Sequence, residues 1–66
     1  MQNVNALIKQ IAASPAYINA QYAAQRLKVL DVYVADNYTA LVQHYDETDE
    51  HELREMLWMD VDFCEV

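Results

Sequence analysis

The sequence predicts an all-α fold, three or four short helices in a small bundle that forms one acidic domain over residues 1–66. Three observations carry that expectation. Apolar residues recur at spacings of three and four along most of the chain, the period of one helix face. Hydrophobic residues make up 55% of the sequence, too many for a chain that is disordered by composition. The β-branched stretch 29–35 is the one segment that reads as a strand, and no second alternating run exists for it to pair with.

The first helix is placed over residues 3–13. Val4, Leu7, Ile8, Ile11 and Ala12 share a face, while Asn3, Lys9 and Gln10 fall elsewhere. Ser14-Pro15 then ends one helix and starts the next, because serine is a good N-cap and proline at the first helical position loses no hydrogen bond. From Pro15 onward Ala16, Ala20, Ala23, Ala24, Leu27, Leu30 and Val34 form one stripe. Ile18, Tyr22, Val29 and Tyr33 form a second on the opposite side. A helix with two apolar faces is sandwiched between partners, so this second helix is expected to be central, its alanines letting another helix approach closely. The first stripe continues in phase through Tyr38, Leu41, Val42 and Tyr45. Either one helix runs over 15–46, or the chain breaks at Asp36-Asn37. The break is the preferred reading, with Asp36 as a cap and Asn37 in the left-handed conformation that glycine would otherwise supply. The chain holds no glycine at all. The last helix is placed over residues 50–60 after an acidic turn at Asp46, Glu47 and Thr48. Asp49 and Glu52 have capping-box spacing, and Leu53, Met56, Leu57 and Val61 line its inner face.

A chain of this length buries only about 60% of its unfolded surface, so small scaffolds usually add a disulfide, a metal or a partner. A single cysteine, Cys64, excludes an internal disulfide, and no Cys/His set has zinc-finger spacing. A partner is therefore the expected supplement. A homodimer through Ile18, Tyr22, Val29 and Tyr33 is one form of it. Residues 1–5 are polar with no basic segment, and apolar runs stop at four residues (32–35 and 56–59), which predicts a cytoplasmic protein that does not engage a membrane.

Charge is the most informative feature. Residues 1–30 carry Lys9, Arg26 and Lys28 and no acid, or +3; residues 31–66 carry all 11 acids and one base, Arg54, or -10. The overall charge of -7 argues against direct binding of nucleic acid. Asp49, Glu50 and Glu52 fit the favourable field at a helix N-terminus. Nine acids in the last 21 residues exceed what one cap requires. Either they form a solvated face, or they are a surface for a basic partner, a row of carboxylates standing in for phosphates. The second reading names Asp46, Glu47, Asp49, Glu50, Glu52, Glu55, Asp60 and Asp62, with Trp58 as the aromatic anchor beside them; packing of Trp58 on another helix is the alternative and the preferred reading of that residue. It describes an inhibitor or adaptor acting on the basic, nucleic-acid-binding surface of a target protein. Small acidic chains without enzyme motifs resemble phage-encoded anti-defence proteins, or antitoxins, in general character; no motif here identifies a family. The alternative is a structural or assembly protein that acts as a helical homodimer, with acids for solubility alone.

Enzymatic machinery is scarce. The one serine, Ser14, fits a helix cap, and no nucleophile-elbow glycines exist. No enzyme activity and no cofactor is expected. Glu47, His51 and Glu55 have helical metal-ligand spacing, but Glu47 is placed before the helix, so no metal is expected either. The acids around Cys64 disfavour its thiolate. Tyr22, Tyr33, Tyr38 and Tyr45 suit core packing with hydroxyls at the rim.

Overall fold

The computed structural model describes residues 3–64. Among them the chain forms five helices and no strand: α1 (Val4–Ala12), α2 (Pro15–Ile18), α3 (Ala23–Asp36), α4 (Tyr38–Tyr45) and α5 (Glu50–Asp62). The all-α bundle is the predicted one. The helix count exceeds the expected three or four because the long second helix is broken twice.

Helix α1 follows its pattern. Asn3 is the N-cap, its side chain accepting from the Asn5 N–H at 2.9 Å, and Val4, Leu7, Ile8 and Ile11 are buried. Pro15 opens α2 as expected, after Ser14 in extended conformation, yet the Ser14 side chain makes no capping bond. Helix α2 lasts one turn. Its C-cap, Asn19, donates its N–H back to Pro15 and Tyr17, and Ala20 N–H closes on the Tyr17 carbonyl. Tyr22, extended at φ -123°, then becomes the N-cap of α3.

That break corrects the picture of one helix with two apolar faces. Of the four alanines on the first stripe only Ala20 is buried; Ala16, Ala23 and Ala24 face solvent. Ile18 and Tyr22 belong to the break and are 60% and 66% exposed, whereas Val29 and Tyr33 lie on α3, half-buried against the core. The four residues assigned to a dimer interface do not form one continuous helical face. Physically, alanines fit either phase, because a methyl group buried or exposed changes the free energy by only about 1 kcal/mol.

The second break, at Asp36-Asn37, is where it was expected, although its chemistry differs. Asn37 has φ -124° and ψ 25°, so it is not left-handed. It joins the two helices by donating Nδ2–H and its backbone N–H to the Tyr33 carbonyl, both short bonds (2.9 and 3.0 Å). Asp36 remains the last residue of α3 rather than a cap of α4. The left-handed residue is Asp46, φ 54° and ψ 45°, at the C-cap of α4. It takes the position that glycine most often fills at a helix end.

Leu30 and Val34 from α3, Leu41 from α4 and Leu53, Leu57 and Val61 from α5 complete one core with the α1 face. Helix α5 is its axis, packing on α1, α3 and α4. It runs two residues beyond the predicted end, to Asp62. Met56, expected on the same face, is half-buried at its edge. No helix among the described residues is long and apolar enough to cross a membrane.

Leu30, Leu41, Leu53 and Leu57 are fully buried. Truncating Leu57 to alanine is expected to cost about 2–5 kcal/mol, most of what a domain of this size holds. Circular dichroism of Leu57→Ala would then show a largely unfolded chain at 37 °C; a cooperative melt close to that of the parent would contradict this core.

Candidate functional site

The acids of the second half divide by the work they do. At the start of α5 the Asp49 carboxylate accepts from the His51 N–H at 2.9 Å, the expected N-cap. The Asp49 N–H, which Glu52 would take in a capping box, is taken instead by Glu47 from the preceding turn, whose Oε1 accepts from the Thr48 and Asp49 N–H groups at 2.9 and 3.1 Å. The whole turn from Asp46 to Asp49 is thereby held by side chains. The Tyr38 hydroxyl fastens it to α4 by donating to the Thr48 carbonyl at 2.6 Å.

At the other end of α5, Asp60 and Asp62 each receive a tyrosine hydroxyl. Tyr45 of α4 donates to Asp60 Oδ2 at 2.6 Å, and Tyr17 of α2 donates to Asp62 Oδ1 at 2.5 Å. Burial pushes the Tyr17 hydroxyl up to about 12, helped by the Asp62 hydrogen bond and charge. The Arg26 guanidinium, stacked 5.4 Å from the Tyr17 ring centre, and the Trp58 indole N–H beside the hydroxyl pull the other way. Burial likewise raises the Tyr45 hydroxyl above its ordinary value, again reinforced by its carboxylate partner, Asp60. Both pairs are charge-assisted bonds that tie flanking helices to α5.

Asp31 of α3 and Arg54 of α5 form an ion pair at 3.2 Å, and Arg54 Nη2 lies 3.0 Å from His51 Nδ1. Glu55 sits 4.0 Å from His51 Nε2, a loose contact between partly exposed groups. Asp31, Val34, Glu50, His51 and Arg54 line a surface depression between α3 and α5. Asp46, Glu50 and Glu52 are exposed and Glu55 half-exposed.

The predicted partner-binding set is thus split. Asp46, Glu50, Glu52 and Glu55 gather around the α4–α5 turn and the first turns of α5. Glu47 and Asp49 belong to the same turn but are engaged by its backbone. Asp60 and Asp62 lie about 15 Å further along the helix, engaged by tyrosines. Trp58, read either as an exposed anchor or as packing on another helix, is half-buried and packed against the core, which bears out the second. Exposed apolar groups occur elsewhere: Met59 and Phe63 on α5 and its C-cap, 61% and 82% exposed, and Val32 on α3. Sequence reasoning left Tyr17 without a role. Its hydroxyl meets a carboxylate 45 residues away, which no local spacing signals. Among the described residues no three or more His, Cys, Asp or Glu side chains are grouped to hold a metal ion.

No family model matches the chain, and no curated protein and no solved structure shows significant similarity to it.

Two consequences follow from these bonds. The raised tyrosines stay neutral in the folded chain when they have begun to ionise in the unfolded one. Their contribution is fully present below pH 10 and is lost as pH rises from 10.0 through about 12. A melting-temperature series should therefore fall across that window, and Tyr17→Phe/Tyr45→Phe should flatten the fall; an equally steep fall in the double variant would exclude these two groups as its cause. At the other end, Asp49→Ala should lower stability by about 0.5–2 kcal/mol, the ordinary loss of an N-cap, as read by urea unfolding.

Proposed function

We propose that this is a small protein-binding protein that lays the acidic α4–α5 turn and the first turns of α5 on a basic, nucleic-acid-binding surface of a target protein. It would act as an inhibitor or adaptor by occupying that surface, as a phage-encoded anti-defence inhibitor does when its carboxylates stand in for phosphates. One observation supports the reading above the others. Asp46, Glu50 and Glu52 are exposed at one end of α5, and no hydrogen bond or ion pair among the described residues engages their side chains. Glu55 adds a fourth carboxylate with only the loose His51 contact. The helix dipole favours Glu50 and Glu52, but Asp46 lies before the helix and owes nothing to it.

These acids add like charge to a chain already at -7, a repulsion that a cationic partner or the helix dipole would offset. A basic groove would offset it and would be reached quickly through long-range attraction. The same chemistry makes direct binding to nucleic acid unfavourable. The turn is preorganised by the Glu47 and Asp49 backbone bonds and by Tyr38, so docking would order little new structure.

The reading predicts that a tagged chain captures a basic nucleic-acid-binding protein from its native host and releases it at high salt. Converting Asp46→Asn together with Glu50→Gln, Glu52→Gln and Glu55→Gln should weaken that capture about tenfold or more, while the circular dichroism spectrum stays helical. Capture that persists undiminished in the quadruple variant overturns the proposal.

A further inference from the structure

Helix α3 carries a face that no other element among the described residues covers. Lys28, Val32 and Asp36 are spaced by four and so form one row along the helix. All three are exposed, Val32 at 61% although its side chain is apolar and β-branched. Ala35 lies beside Val32 and Ala24 continues the row one turn before Lys28; both are exposed and small enough to admit a neighbouring helix. Asp31, on another side of α3, is paired with Arg54 of α5. Lys28 and Asp36 have no ion-pair partner among the described residues.

The row has an internal symmetry. A cation stands four residues before Val32 and an anion four residues after it, each about 6 Å along the axis. Turned end for end, the pattern is complementary to itself. We propose that α3 packs antiparallel against α3 of a second copy of this chain, about a two-fold axis at Val32. In that register Val32 meets Val32 of the second copy. Each Lys28 faces the other copy's Asp36, giving two identical ion pairs. A parallel pairing would set lysine on lysine and aspartate on aspartate, so the charges fix the orientation. The contact is isologous and closes at two copies. Charge complementarity of this kind chooses orientation and register more than it adds affinity, and the exposed valine with Ala35 beside it supplies the apolar centre.

The surface is distinct from the one drawn from the second apolar stripe, since Ile18 lies in α2, Tyr22 caps α3 and Val29 and Tyr33 are half-buried against their own core. It also excludes Asp46, Glu50, Glu52 and Glu55, so the two proposals stand or fall separately.

Sedimentation equilibrium of the full chain over a concentration series tests the pairing. The expected mass rises from 7.7 kDa towards twice that value. Lys28→Glu should raise the dimer dissociation constant about tenfold or more by setting two like-charge pairs across the axis. Adding Asp36→Lys to it restores complementarity and should restore the dimer. Val32→Asp should give a monomer whose helical circular dichroism is unchanged, because all three sites are exposed. A wild-type chain that stays at 7.7 kDa throughout overturns the proposal and leaves the row to a partner of another sequence. Lys28→Glu that associates as the wild type does, or a double variant no tighter than the single, overturns the antiparallel register.

Discussion

The apolar stripe Leu53, Leu57 and Val61 is the constraint on which the rest of the molecule depends. Two of these residues are fully buried and the third is 3% exposed, and their helix touches α1, α3 and α4. None of the five described helices exceeds 14 residues, and a helix below about 12–15 residues is marginal in water by itself. Their helicity must come from packing, and α5 is the surface on which three of them pack. Its two ends are fixed by different chemistry. Asp49 and Glu47 satisfy backbone donors at the N-terminus, and Asp60 and Asp62 receive tyrosine hydroxyls near the C-terminus. An axis fixed at both ends holds α2 and α4 in place, although α2 is a single turn.

Helices α1 and α5 were legible because large apolar residues repeat without ambiguity between recognisable caps. The break at Asp36-Asn37 was legible because two polar residues interrupt an otherwise continuous phase. The break over 19–22 was not. Alanine marks both stripe and surface, and the loop has neither glycine nor a second proline to announce it. Instead the chain turns on local bonds, with Ala20 N–H closing on Tyr17 and Gln21 N–H on the Gln25 side chain at 2.9 Å. The left-handed position was expected at Asn37 and fell at Asp46. Both residue types tolerate that conformation, and the packing of α4 on α5 decided between them.

At the candidate site, sequence alone showed the excess of acid but not its division. Asp60 and Asp62 looked like the rest of the row, since the tyrosines that bind them lie 15 and 45 residues away. Helical phase set Trp58 off the Leu53 and Leu57 face and left open whether another helix packs on it, because phase says only which residues share a face. It does not say which neighbouring helix covers that face. The tertiary arrangement supplied both answers.

That division separates two kinds of charge in one short segment. Asp31, Glu47, Asp49, Asp60 and Asp62 each hold a bond that positions a helix or a turn. Removing one leaves a donor without its acceptor, so these carboxylates are tied to the fold. Among the described residues Asp46, Glu50 and Glu52 accept no hydrogen bond, and Glu55 reaches only His51. Their charges add repulsion to a protein already at -7. A scattered set of such residues would be ordinary solvated surface. Here the first group fixes the turn and the helix start from which they project, Glu50 beside His51 and Arg54 and Glu52 two residues on, on another side of the helix. Unengaged carboxylates on a surface of fixed backbone geometry are open to a cationic partner. Because fold and surface use different residues, that surface can be altered while the bundle beneath it persists.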